Sequence, residues 1–435
     1  MKWALLAIGI LIAAAPLSAQ APLGLAEVQR LALENYQEVR RAEFSLLRAE
    51  RAVDAMRARR LPRLDATAGY THISETAQID LALPGLPSRS ISFGDGNVWE
   101  SALTASVPLF TGFRLDAMQN IAQTQSAIAR EALAGTRTAL RHRVAVVYRQ
   151  AQLAHRSVRI YREQLQWLQQ QLRTVKQLHG QGQVIAYDTL LLSTRISALL
   201  VEKVSAETAE KNALLTLSSF ILRPAEEVRI SEDITLDETL LLHYREGTLG
   251  DAALARRSDF RLLEHRQTLV NERIRAERAD YFPTVNAFAS YRYGRPGVDQ
   301  FRNEWMDYYT AGVNVRWQLW SWGGDRAEVE QQRIALQESE QEKSLLRSEI
   351  LTAIEKIINE IEVLQRTRVL LDEQVRQQTV RQQLLHARFA QGLATATEVV
   401  DAETALTTAR LQREQSEIRY AIKLTELAAE TGWNE

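Results

Sequence analysis

From Asp325 to Gln391 the chain runs for 67 residues without a proline or a glycine. Those two residues break or weaken helix interiors, so the stretch predicts one helix on the order of 100 Å long at about 1.5 Å per residue. No compact core needs a helix of that length. Ile350, Ile354, Ile357, Ile361, Leu364, Leu371 and Val375 step mostly by four and three, with Arg368 the odd position, which is the spacing of a coiled-coil seam. A narrow seam packs lengthwise against similar helices. The segment 113–178, interrupted only by Gly135, reads the same way, and shorter helices are predicted at 24–60, 187–222, 248–280 and 396–431.

Between the helices the period changes from 3.6 to 2. Val285, Ala287, Ala289, Tyr291 and Tyr293 alternate with Asn286, Phe288, Ser290 and Arg292, and Tyr309, Ala311, Val313, Val315, Trp317 and Leu319 alternate with Thr310, Gly312, Asn314, Arg316 and Gln318. Trp99, Leu103, Ala105, Val107 and Leu109 mark a third strand, and a weaker fourth lies near 64–73. The strands are placed at 64–73, 98–110, 284–294 and 308–320, each about as long as a tilted strand needs to cross a bilayer. Loops 74–97 and 296–308, rich in Gly, Pro, Ser and Asp, join them in pairs.

The chain reads as a tandem duplication. Gly182 and Gly392 are 210 residues apart, as are Asp188 and Glu398, and Leu109-Phe110-Thr111 matches Leu319-Trp320-Ser321 at that offset. Pro62 and Pro283, each at a helix-to-strand junction, are 221 apart because the first hairpin loop is 11 residues longer. The expected organisation is a signal peptide at 1–19, a first repeat at 20–222, a connecting segment at 223–247 and a second repeat at 248–435. The signal rests on Lys2, the apolar run Ala4–Ala15 and small residues near Ala19. Later segments lack the apolar length of a membrane helix, which leaves a periplasmic or secreted protein, or an outer-membrane barrel.

Four strands cannot close a barrel, and unpaired edges are costly in lipid, so the protomer must oligomerise. A trimer gives 12 strands around a polar lumen bearing Arg292, Asn314 and Arg316, and its paired rods give a 12-helix tube of matching number. The expected fold is therefore mainly α with a transmembrane β part, a long coiled-coil barrel continued by a 12-stranded β-barrel.

Val107–Arg114 (VPLFTGFR), Trp317–Gly324 (WQLWSWGG) and above all Arg388–Ala402 (RFAQGLATATEVVDA) resemble the TolC-type outer-membrane efflux protein family over nearly the whole chain after the signal. The resemblance implies a homotrimeric exit duct in outer-membrane lipid. A periplasmic adaptor would dock it to an inner-membrane pump of the RND or ABC type. It also implies adaptor docking at the helix hairpins around Gly182, Val184, Gly392, Leu393 and Ala394, although a glycine there by itself need only supply a left-handed turn. Glu398 and Asp401, three apart on one helix face, match acids that line the family's periplasmic constriction, and Asp188 holds the equivalent place in the first copy. Acids also suit a helix N-terminus for its own sake. Where some relatives place an Arg and a Tyr in gate-locking links, this chain has Ala394 and Phe389. It has no cysteine, and so none of the lipid attachment of other members. Trp99, Tyr309, Trp317, Trp320 and Trp322 are expected at the membrane interfaces.

Enzyme signatures are wanting: seven scattered His form no HExxH pair, no nucleophile elbow or phosphate loop occurs, and neither a cofactor nor a metal site is expected. With 53 Lys+Arg against 54 Asp+Glu, no cationic excess exists to hold nucleic acid. The competing reading is a periplasmic coiled-coil adaptor or scaffold that never enters the membrane.

Overall fold

The computed structural model describes residues 22–76, 78–81, 89–92, 96–234, 236–299 and 302–433; the predicted signal peptide lies outside them. In chain order the elements are α1 (Leu25–Asn35), α2 (Gln37–Ala58), β1 (Arg63–His72), β2 (Gln78–Leu81), β3 (Arg89–Ser92), β4 (Asn97–Thr111), α3 (Arg114–Gly180), α4 (Ala186–Ile221), α5 (Thr239–Arg245), α6 (Leu249–Arg256), α7 (Ser258–Arg278), β5 (Thr284–Arg295), β6 (Met306–Arg316), α8 (Gly324–Ala390) and α9 (Ala396–Glu430). Both α3 and α8 have 67 residues, and their ends fall 210 apart. The chain is mainly helical with a small antiparallel sheet, and the duplication extends to backbone detail. Gly112 and Phe113 join β4 to α3 in left-handed conformations, as Trp322 and Gly323 do before α8. A side chain at Gly112 would strike the Ala279 carbonyl at 2.5 Å.

The residues form two compact units. The helical unit comprises the described residues up to Val39, Arg137–Leu249 and Ala353 onward; the sheet unit comprises Arg40–Thr136 and Gly250–Thr352. In the helical unit the core joins Val144, Ala145, Tyr148 and Ala151 of α3, Leu217, Phe220 and Ile221 of α4, Ile354, Ile357, Ile358 and Ile361 of α8, and Ile418, Tyr420 and Leu424 of α9. The seam on α8 is thus buried in its middle, while Leu364, Leu371 and Val375 are half-buried. The sheet unit holds a four-stranded antiparallel sheet in the order β1-β4-β5-β6.

Five expected boundaries change. The helix placed at 24–60 breaks at Tyr36, which is extended with ψ of 129° and packs its ring edge against Phe220 at 5.3 Å. The helix placed at 248–280 breaks at Arg257, with ψ of 126°. Tyr36 and Arg257 are 221 apart, the offset of the junction prolines, so both halves break their short helix at the same place. Loop 74–97 carries the β2–β3 hairpin, and the connecting segment carries α5. Strand β6 stops at Arg316 rather than residue 320. Its partner begins at Thr284, opposite Arg316, and the preceding Pro283 has no N–H to offer. Trp317 and Trp320 therefore lie beyond the strand.

Candidate functional site

Two regions concentrate the candidate residues, and each belongs to one unit. The first is the pair of helix hairpins in the helical unit. After α3, Gly182 has φ of +71°, and after α8, Gly392 has φ of +72°. Each turn closes with the same two backbone bonds, Gly182 N–H to His179 O and Gln183 N–H to Leu178 O in the first, Gly392 N–H to Phe389 O and Leu393 N–H to Arg388 O in the second. The glycines are needed because both bonds require a left-handed residue between them. Space does not require them, since a Cβ at either would meet nothing within 4 Å. Val184 and Phe389 pack against the core cluster of Leu165, Leu168, Val175, Leu192 and Leu199. Leu393 is 62% exposed and Ala394 half-buried. Phe389, turned into that core, brings no hydroxyl to a gate link.

The three acids do not share one environment. Glu398 caps α9: its Oε2 accepts from Thr395 N–H at 2.7 Å, and Thr395 Oγ1 accepts in return from Glu398 N–H at 3.2 Å. This reciprocal arrangement satisfies two N–H groups that a helix start leaves open. The Thr395 contacts hold the Glu398 carboxyl below its ordinary range. Asp188 repeats half of it, with Oδ2 accepting from Ile185 N–H at 3.2 Å, but Ile185 has no side-chain oxygen to return the bond. Asp401 is exposed and has no hydrogen-bond or ion-pair partner among the described residues. The sequence reading passed over two features here. Ile185, Tyr187 and Leu190 expose apolar surface at the start of α4. Glu403, with Val399, Val400 and Leu406 on its helix face, is buried, a placement that the 3.6-residue period of α9 signals.

The second region is the four-stranded sheet. Register aligns one side chain set across all four strands: Leu64, Ala66 and Tyr70 on β1, Trp99, Leu103, Ala105 and Val107 on β4, Val285, Ala287, Ala289 and Tyr291 on β5, and Tyr309, Ala311, Val313 and Val315 on β6. That face is apolar and exposed, with Val313 and Val315 at 60% and 63%. The other face carries Asp65, Thr67, Glu100, Thr104, Asn286, Ser290, Arg292, Thr310 and Asn314. Arg292 donates to Glu100 at 2.9 Å, and the hydroxyls of Thr104 and Ser290 meet at 2.9 Å. Ala102, Phe288 and Tyr308 share this face, and the Phe288 ring lies over Gly312. A bulge at Leu109 shifts the β4–β5 register next to Pro108.

Aromatic residues mark both ends of the sheet. At one end Tyr70 meets Trp99 in a tilted pair at 4.4 Å and Tyr293 stacks on Trp305 at 5.1 Å, with Tyr309 exposed nearby on β6. At the other, Trp317 donates its indole N–H to Tyr281 O at 3.3 Å, and Trp320 and Trp322 meet edge to face at 5.8 Å. Near that end Glu277, Asp280 and Glu328 bring carboxylate oxygens within 4.8 Å of one another, and Arg114 pairs with Asp280.

The outer membrane efflux protein family matches residues 28–221 and 249–432, which is to say both halves of the duplication. Proteases secretion protein PrtF of Dickeya chrysanthemi is 26% identical over 341 residues, spanning 75% of this chain and 70% of PrtF. Among solved structures, the outer membrane protein VceC of Vibrio cholerae matches with a TM-score of 0.76 at 15% identity, over 94% of this chain and 96% of VceC. The open state of the MtrE outer membrane channel of Neisseria gonorrhoeae matches with a TM-score of 0.72 at 18% identity, over 94% and 88%. At such identities the structural likeness speaks for the fold.

Proposed function

The chain belongs to the outer membrane efflux protein family, whose members are channels rather than enzymes, and from that premise we propose that three copies close into one passive exit duct in the outer membrane. The observation that carries this reading is the sheet. One of its faces is mainly apolar and the other mainly polar, yet among the described residues β1 and β6 are edge strands with no partner on their outer sides. Lipid does not tolerate such edges. Pairing β6 of one copy with β1 of the next removes all of them, and three copies make a 12-stranded ring around the polar face. A periplasmic scaffold leaves the exposed apolar face, and the aromatics at both its ends, without a role.

In this duct Trp99 and Tyr309 sit at one membrane interface and Trp317, Trp320 and Trp322 at the other. The hairpins at Gly182 and Gly392 form the periplasmic end, where Val184, Leu393 and Ala394 meet a periplasmic adaptor that links the duct to an inner-membrane pump of the RND or ABC type. Asp401 faces the entrance with its charge unspent, and Asp188 and Glu398 add theirs while capping their helices; three copies of each favour cations there. The relative named for protease secretion supports type I secretion as the setting, with multidrug-type efflux sharing the same duct. Light-scattering mass of detergent-extracted protein tests the reading: a trimer is expected, and a well-folded monomer overturns it.

A further inference from the structure

Glu403 lies on α9 five residues beyond Glu398, on the face that buries Val399, Val400, Leu406 and Thr407. Its side chain goes in with them and is 4% exposed. A carboxylate taken out of water must find replacement hydrogen bonds and opposite charge, or stay neutral. Replacement is thin at this position. Gln164 of α3, itself buried, and Gln382 of α8 lie near enough to act on it, but among the described residues neither its Oε2 nor Gln164 Nε2 has a hydrogen-bond partner. Thr407 gives its hydroxyl proton to the Glu403 backbone carbonyl at 2.9 Å. Among the described residues the cation that acts on it is Arg410, further along α9, whose guanidinium stands 3.9 Å from Glu163 of α3.

From α3, α8 and its own helix, then, Glu403 meets amides, a spent hydroxyl and one shared charge. Such surroundings suit a carboxylic acid, which buries no charge and can give its proton to an amide oxygen. Burial correspondingly pushes the Glu403 carboxyl above its ordinary range, against the pull of the two amides and Arg410.

We propose that Glu403 is a proton-operated latch: neutral, it lets α3, α8 and α9 close on one another, and ionised, it draws water between them and loosens the start of α9. A carboxyl raised in the folded state contributes its stability fully in acid and loses it as pH rises through the folded value. The packing is therefore firmest at low pH. If the hairpins are the periplasmic entrance, a consequence that rests on the proposed function, the entrance tightens in acid.

Hydrogen exchange of the full-length protein in detergent at pH 5 and pH 8, corrected for intrinsic rates, tests the latch. Peptides over residues 396–410 of the wild type are expected to exchange on the order of tenfold faster at pH 8. Glu403→Gln, which keeps the shape and cannot ionise, is expected to exchange slowly at both. Glu398→Gln, altering an acid already ionised across this range, keeps the wild-type response. A wild type without the response, or a Glu403→Gln variant that shows it undiminished, overturns the latch. Infrared titration of the wild type needs no variant to fold: a carboxylic C=O band that persists above the ordinary carboxylate range supports the latch, and its absence overturns it. Planar-bilayer currents separate the two readings, because a pH-dependent exchange in a protein that never conducts leaves the latch standing and removes the duct.

Discussion

Thr395 and Glu398 exchange hydrogen bonds across the first turn of α9, whereas Ile185, which stands 210 residues before Thr395, donates its N–H to the Asp188 carboxylate and has no side-chain oxygen to accept one in return. The two halves of the duplication therefore begin their returning helices with unequal caps. Thr395→Ala should weaken the start of α9 by about 1 kcal/mol, and Ile185→Thr should strengthen that of α4 by a similar amount. Amide exchange at residues 186–190 and 396–400 checks both. Because Glu398 is held low, its contribution is present above the ordinary carboxylate range and fades as pH falls through its folded value. Exchange of Glu398→Gln should therefore converge on that of wild type in acid.

Among the described residues Asp401 has no hydrogen-bond or ion-pair partner of its own. Asp401→Asn removes charge without touching a cap, so the cation preference of the duct in planar bilayers should fall while α9 keeps its exchange protection. Unchanged reversal potentials in Asp401→Asn and in Glu398→Gln/Asp401→Asn would sink the acidic-entrance assignment.

Arg156 of α3 ties three segments together. It donates to Glu414 of α9 at 2.7 Å, to Glu417 at 3.3 Å and to the backbone carbonyl of Glu232 in the connecting segment at 2.5 Å. The Arg156 and Glu414 side chains are largely buried. Truncating one partner of such a group strands the others, so Arg156→Ala should cost about 3 kcal/mol, read as a lowered denaturation midpoint. Exposed pairs such as Arg51–Asp54 should cost well under about 1 kcal/mol when broken.

How far these features could be read in advance depends on whether their cause is local. The 67-residue helices follow from long stretches without proline, broken in α3 by Gly135 alone before its end, and the hairpin ends from Gly182 and Gly392, all properties of the chain itself. Tyr36 and Arg257 are ordinary helix residues, and their extended angles become intelligible only through what surrounds them, such as the Phe220 ring against Tyr36. The end of β6 is set by where β5 begins, a pairing between distant residues. For the acids, spacing placed Asp188 and Glu398 at helix starts, but only atomic geometry separates the two capping acids from the unengaged Asp401. Glu403 reads as one more charge on a polar helix until its face is traced through Val399, Val400 and Leu406.

Tyr420 of α9 is fully buried, donates to Glu238 at 2.5 Å and accepts from Gln365 at 2.8 Å. Burial and the Glu238 bond push its phenol up to about 12. A phenol raised in the folded state stabilises fully below its ordinary value and loses that contribution as pH climbs toward the folded one, so alkaline unfolding should set in above about pH 10. Tyr420→Phe should remove this limb and, by leaving Glu238 and Gln365 unpartnered, cost about 1 to 2 kcal/mol at neutral pH. Ultraviolet titration of the phenolate band reads the first, and a denaturation midpoint the second.

Val313 and Asn314 are adjacent on β6 and face opposite sides of the sheet, so in the proposed duct one meets lipid and the other the lumen. Charge on a lipid-facing barrel position costs roughly 2 to 4 kcal/mol near the bilayer midplane, whereas a lumen position pays little. Val313→Arg should therefore sharply reduce the yield of membrane-inserted trimer, and Asn314→Arg should assemble at wild-type levels with altered conductance. Equal tolerance of both would mean that neither face meets lipid. The reverse order would mean that the apolar face points inward and the polar one outward. A sheet with its polar face toward lipid and its apolar face toward water would forfeit the hydrophobic contribution at every alternate residue, so the order of these two variants bears on all four strands at once.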